Sequence, residues 1–134
     1  MQTFKLPVEL SFGSDSTQVL NQFTGKRILI ICDAFLANSA PLLEIKAQLS
    51  ATNEVSIFTD VKPDPTANDV ALGIETLKVF TPEIVVAYGG GSAIDLCKAV
   101  KYYGRKMGIM VEKSIAIPTT SGTGSEVTSA SVIG

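Results

Sequence analysis

Ile84-Val85-Val86-Ala87-Tyr88-Gly89-Gly90-Gly91-Ser92-Ala93-Ile94-Asp95 decides the fold, because it reads as strand, glycine turn and helix start in direct succession. Ile84 to Tyr88 is an unbroken apolar run of the kind that forms a strand covered on both faces. Beyond the glycines, Ile94, Cys97 and Val100 keep the spacing of one helical face. Such a junction suits an anion. Glycine lets the backbone approach it closely, and the unpaired N–H groups of the first helical turn point at it. Ser92-x-x-Asp95 also fits a capping pattern, with Ser92 accepting from the backbone near Asp95, and capping and phosphate binding use the same helix end. The stretch is neither G-x-G-x-x-G nor G-x-x-x-x-G-K-[ST], so the ordinary dinucleotide fingerprint and the P-loop are both absent.

Working outward, the same alternation repeats. Arg27-Ile28-Leu29-Ile30-Ile31-Cys32 and Val55-Ser56-Ile57-Phe58 read as strands before the glycine turn, and Ser114-Ile115-Ala116-Ile117 as one after it. Helices are expected from Pro41 to Leu49, with the proline in the first turn, from Thr66 to Phe80, and from Ser92 to about Tyr103. Lys62-Pro63-Asp64-Pro65 interrupts regular structure, and Thr66-x-x-Asp69 is a helix-start pattern with Thr66 as cap. Thr3 to Leu10 reads as an edge strand or hairpin arm. Gly13-Ser14-Asp15-Ser16 turns into a short helix with Val19, Leu20 and Phe23 on its apolar side, and Gly25 stops it. Val127 to Gly134 reads as a strand followed by nothing, which suggests the front part of a longer protein. Strands alternating with helices give the class α/β with a mainly parallel sheet.

In an open parallel sheet, ligands bind outside the carboxyl ends of the strands. Asp33, Gly89 to Ser92, and Pro118 to Ser125 each follow a strand, so parallel pairing gathers them at one edge. Asp33 is placed to accept from a ribose diol and to repel a 2′-phosphate, favouring NAD over NADP; a plain helix cap or strand end is the alternative. Thr119-Thr120-Ser121-Gly122-Thr123-Gly124-Ser125-Glu126 is rich in hydroxyls and can bond a base, an amide or a phosphate, the alternative being a surface turn. Lys98 and Lys101 lie on a helix that runs away from this edge and read as solvated.

Composition excludes several classes. The chain has 134 residues, 46% hydrophobic and 18% charged, enough for one domain with a core. Its net charge of −2 gives no basis for binding nucleic acid or an anionic membrane. It holds no apolar run of transmembrane length and no secretory signal pattern, so a cytoplasmic location is the expectation. Cys32 and Cys97 read as buried thiols. With no histidine and only two cysteines, the chain by itself cannot assemble a usual nitrogen–sulfur metal site.

Gly89-Gly90-Gly91-Ser92-x-x-Asp95-x-x-Lys98, followed by Ile117-Pro118-Thr119-Thr120-Ser121-Gly122-Thr123-Gly124-Ser125-Glu126-Val127-Thr128, resembles the iron-containing (group III) alcohol dehydrogenases. Asp33 and Pro63-Asp64-Pro65-Thr66 fit as well, and the second motif separates the chain from glycerol dehydrogenases and dehydroquinate synthases, which share the fold. Within the family, Ile30 to Ala37 and the short opening resemble the 1-propanol dehydrogenases of propanediol-degrading bacterial microcompartments. The resemblance implies a Rossmann-like, dehydroquinate synthase-like amino-terminal domain over residues 1–134. A helical metal-binding domain would lie outside the chain. It implies NAD(H) bound by Asp33, Gly90, Gly91, Ser92, Thr119, Thr120, Thr123 and Ser125, with Asp95 towards the nicotinamide side. It implies iron held by an Asp and three His of the helical part, none of those histidines being here, so no catalytic or metal residue is assigned in this chain. The implied substrate is a short primary alcohol or its aldehyde, of the 1-propanol/propionaldehyde type. The implied partners are further copies of the chain and the shell or enzymes of a microcompartment, with no nucleic acid and no membrane. A nucleotide-binding module without catalysis is the alternative. A phosphotransfer enzyme is disfavoured by the missing P-loop lysine.

Overall fold

The computed structural model describes residues 8–10, 20–119 and 131–133, the two short outer segments as backbone only. Six strands form one sheet: β1 (Val8–Leu10), β2 (Arg27–Cys32), β3 (Glu54–Phe58), β4 (Ile84–Gly89), β5 (Lys113–Pro118) and β6 (Ser131–Ile133). The spatial order is β1-β6-β5-β4-β2-β3. β2, β3, β4 and β5 run parallel, while β6 is antiparallel to β5 and β1 to β6. Among the described residues three helices flank them: α1 (Ala40–Ser50), α2 (Ala67–Phe80) and α3 (Gly91–Lys106), with a 3-10 turn at Ala34–Leu36. The α/β class and the mainly parallel sheet are as the sequence predicts. Expectations for 1–7, 11–19, 120–130 and 134 fall outside the described residues.

The apolar runs become central strands because both sheet faces are covered. Ile28, Ile30, Cys32, Ile84, Val86, Tyr88, Ile115 and Ile117 pack on one face with Leu42, Ile45 and Leu49 of α1. Leu29, Ile31, Val85 and Ala87 pack on the other with Ile74 and Leu77 of α2 and Leu96, Cys97 and Val100 of α3. This is the two-residue alternation of a strand resolved into two cores. Each such aliphatic side chain contributes about 1.5–3 kcal/mol on burial, before the entropy of ordering is subtracted. α2 and α3 come close at Gly73, where a Cβ would fall 2.5 Å from Val100 Cγ2.

The helix starts differ in kind. α2 begins at a reciprocal cap: Asp69 N–H donates to Thr66 Oγ1 at 3.2 Å, and Thr66 N–H to Asp69 Oδ2 at 2.8 Å. α1 is capped by Ser39 with Pro41 in its first turn. α3 corrects the sequence reading. Its N-cap is Gly90, not Ser92; Ile94 N–H already donates to Gly90 O at 3.3 Å, and no side chain caps the end. The strand and its glycine turn fix where the helical ladder can start, and Ser92 falls inside the first turn. At the amino edge, Arg27 N–H donates to Glu83 Oε1 at 2.9 Å and Lys26 Nζ meets Glu112 at 3.2 Å, which holds the sheet together at the end opposite the glycine turn. No described helix is long and apolar enough to cross a membrane.

Candidate functional site

Strand register brings the three polar features together. Cys32 pairs with Tyr88, so Asp33 and Gly89 leave neighbouring strands at the same level. Gly89 pairs with Pro118, and Thr119 N–H donates to Gly89 O at 3.1 Å, which ties the start of the hydroxyl-rich loop to the glycine turn. Asp33, Gly89 to Ser92 and Thr119 therefore share the carboxyl edge of the sheet. Thr120, Thr123 and Ser125 lie outside the described residues.

Gly89 has φ +139°, a conformation that L side chains rarely adopt, and a Cβ there would stand 2.9 Å from Asp33 Oδ2 and 3.3 Å from Leu36 Cδ1. Asp33 thus rests against the glycine turn. It occupies the N-cap position of the 3-10 turn, yet its side chain makes no capping bond, so the helix-cap alternative does not hold for it. The half-buried carboxyl is pushed up from its ordinary pKa by burial, and hydrogen bonding from the backbone N–H groups of Asp33 and Gly90 works against that rise. The carboxylate sits beside the first N–H of the turn without leaving the edge.

The amino end of α3 is open. Among the described residues, a Cβ at Gly90 or Gly91 would meet no heavy atom within 4 Å, and both residues are exposed. The N–H groups of the first turn lack a side-chain cap and carry the positive end of the helix dipole, equivalent to about half a charge. Such an end can bind an anion through backbone N–H groups alone, without a lysine. Lys98 is exposed further along α3, and Asp95 is exposed beyond the first turn. An anionic group at Gly91 and Ser92 would have Asp33 as its neighbour on the β2 side, where a hydroxyl pair is welcome and a further phosphate is not.

Two contributors are not visible as site residues in the sequence. Leu36, 3% exposed, wedges the 3-10 turn against Gly89; its only signal is an apolar residue three positions after Asp33. Tyr88, the last residue of β4 before Gly89, has a buried hydroxyl that lacks a hydrogen-bond partner among the described residues. Burial pushes its phenol up and the nearby Ser39 hydroxyl partly offsets this, while Ser39 Oγ itself donates to Leu36 O at 2.7 Å.

The same edge does not fit a transition metal. Among the described residues no cluster of three or more His, Cys, Asp or Glu could hold one, and the whole chain lacks histidine. Cys32 and Cys97 lie in cores on opposite faces of the sheet, and burial pushes their thiols up to about 11 and about 12. Neither is a thiolate near neutral pH. Elsewhere, a groove of about 650 Å³ runs between α2 and α3, lined by Val70, Ile74, Tyr103 and Met107 among others, away from the glycine turn.

Residues 7–134 match the protein-family model for iron-containing alcohol dehydrogenases. The chain is 49% identical over 133 residues to the 1-propanol dehydrogenase PduQ of Citrobacter freundii, covering 99% of the chain and 36% of that protein. It is 48% identical to the protein of the same name from Salmonella typhimurium, with the same coverage of 99% and 36%. Among solved structures, the iron-containing alcohol dehydrogenase of Thermotoga maritima matches at 28% identity and TM-score 0.70, over 96% of this chain and 40% of that one. The iron-containing alcohol dehydrogenase of Thermococcus thioreducens matches in fold at TM-score 0.75 and 23% identity, over 98% of this chain and 43% of that one. The chain spans 36% of the length of the curated relatives named above, about a third.

Proposed function

Since the chain belongs to the iron-containing alcohol dehydrogenase family, we propose that residues 1–134 are the NAD(H)-binding amino-terminal domain of an iron-dependent enzyme that interconverts a short primary alcohol and its aldehyde. The observation that carries the reading is the uncapped, glycine-opened start of α3 with the Asp33 carboxylate set against it. Backbone N–H groups of Gly91 and Ser92 hold the pyrophosphate, in the field of the helix end. Asp33 accepts from the adenosine ribose diol. A phosphate about 4 Å from that carboxylate would be repelled by roughly 4 kcal/mol at an effective dielectric near 20, which favours NAD over NADP. Thr119, with Thr120, Thr123 and Ser125, supplies hydroxyl groups that bond the dinucleotide, and Asp95 belongs to its nicotinamide side. The nicotinamide, when bound, supplies the hydride acceptor; this chain's part is to bind and orient it.

Iron belongs to the family, and its ligands are to be sought outside this chain, which has no histidine. The 1-propanol/propionaldehyde substrate class rests on the 49% and 48% identities to proteins of that name. A homo-oligomer, in the cytoplasm and within a bacterial microcompartment, is the matching assembly and location. The absence of histidine favours a second reading for the chain by itself, a nucleotide-binding module without catalysis. An encoding sequence that continues into an Asp and three spaced histidines decides for the dehydrogenase.

Cofactor choice tests the site. Asp33→Gly is expected to raise the NADP(H) to NAD(H) affinity ratio by about tenfold or more, the equivalent of about 1.4 kcal/mol, read by titration of both cofactors. An unchanged ratio removes Asp33 from the ribose site.

A further inference from the structure

Phe35, two residues after Asp33, leaves its ring 69% exposed, while its neighbour Leu36 is 3% exposed. The turn that presents it is firmly held. Leu36 N–H donates to Asp33 O at 3.0 Å, Ala37 N–H to Ala34 O at 3.2 Å, and Ser39 N–H to Leu36 O at 3.0 Å. With three residues per 3-10 turn, Asp33 and Leu36 fall on the same side, and both press on the position of a Gly89 Cβ, at 2.9 and 3.3 Å. Phe35 lies a third of a turn from Leu36, on the outer side. The hydrogen-bonded turn fixes the backbone from which this aromatic ring projects into solvent, which suits a ligand with an apolar flat face.

The sheet supplies the direction. From β4 the strand order runs outward to β2 and then β3. On the dinucleotide reading, on which this inference rests, the pyrophosphate occupies the α3 start after β4 and the ribose lies at Asp33 after β2. What remains of that nucleotide, its base, extends away from the glycine turn, and Phe35 is the exposed residue of the turn that does not face Gly89. We propose that Phe35 is the stacking platform for the adenine base of the cofactor, a specificity residue that recognises the face of a purine and not its edge. Asp33 and Phe35 then form a two-point adenosine clamp within three consecutive residues, one polar and one aromatic. The backbone of the turn is already held by hydrogen bonds, so the ordering left for the base to impose is that of one side chain.

The test uses three ligands with the protein that carries this chain: NAD, ADP-ribose, and nicotinamide mononucleotide, which has no adenine. Phe35→Ala is expected to weaken NAD and ADP-ribose about tenfold each, the usual scale for losing one base–aromatic stack. Nicotinamide mononucleotide affinity is expected to stay the same, and Phe35→Trp to restore the other two. Adenine H2 and H8 resonances of bound ADP-ribose should shift upfield in the parent protein and lose that shift in Phe35→Ala. Because the ring is exposed, the thermal midpoint of Phe35→Ala should match the parent, which separates a lost contact from lost folding. Unchanged ADP-ribose affinity in Phe35→Ala, or an equal loss for nicotinamide mononucleotide, overturns the stacking role and leaves the dinucleotide reading intact. Absence of NAD and ADP-ribose binding by the parent protein overturns the dinucleotide reading itself, and this inference with it.

Discussion

Gly89 does more than allow the glycine turn to form. Its φ of +139° and the missing Cβ, which would stand 2.9 Å from Asp33 Oδ2, make it the spacer that lets a carboxylate lie against the turn. Adding a methyl group there combines a strained backbone with a close contact of 2.9 Å. Gly89→Ala is therefore expected to cost about 1–3 kcal/mol, seen as a thermal midpoint several degrees lower, together with weaker NAD binding. A parent-like midpoint would show that the strand end relaxes without loss. The sequence makes the glycines and Asp33 legible because few other arrangements place three glycines and a serine after an apolar strand. It does not separate the spacer, Gly89, from the open pair, Gly90 and Gly91. That division depends on backbone angles and strand register, which residue type alone does not determine. Phe35 is equally hidden, since a phenylalanine near a strand normally reads as core.

At the scale of elements, helix starts decide what each end can do. α2 closes its own end through Thr66 and Asp69, a pattern written locally as T-x-x-D and therefore readable. α3 leaves its end open at Gly90, and the expected Ser92 cap is displaced because β4 and its turn fix where the helix can start. The Asp69 carboxyl is 3% exposed and held below its ordinary pKa, first by the Thr66 backbone N–H and then, against the opposing effect of burial, by Lys62 and the Thr66 hydroxyl. A folded-state pKa below the unfolded value of 3.8 means stabilisation that is present above that value and lost as pH falls through the folded one. Asp69→Asn should thus melt below the parent at pH 7, with the gap closing as melts are repeated below about pH 3.8. A gap independent of pH would assign Asp69 a purely steric role. The apolar strands β2, β4 and β5 are legible for a different reason: burial on both faces leaves no polar alternation to confuse them. The antiparallel pairing of β1 with β6 is not, because it joins residues more than a hundred positions apart through register alone.

The whole molecule separates a holding edge from the edge proposed to bind the cofactor. Lys26, Glu83 and Glu112 gather at the amino edge, where exposed ion pairs contribute little energy singly but sit beside the Arg27–Glu83 backbone bond. The carboxyl edge is left to Asp33, the glycine turn and Thr119. Its composition is readable from the sequence, since parallel alternation alone predicts that strand ends converge. Thr120, Thr123 and Ser125 lie outside the described residues. The site is one wall in a chain that spans 36% of its curated relatives, so cofactor binding is the property to examine before turnover. The most direct measurement is an NAD titration of the protein carrying this chain, followed at backbone amides. The largest shifts are predicted at Gly90, Gly91, Ser92 and Ala93, with Asp33 and Phe35 moving alongside. Saturating NAD that leaves these amides in place, or moves only those lining the α2–α3 groove, contradicts the account.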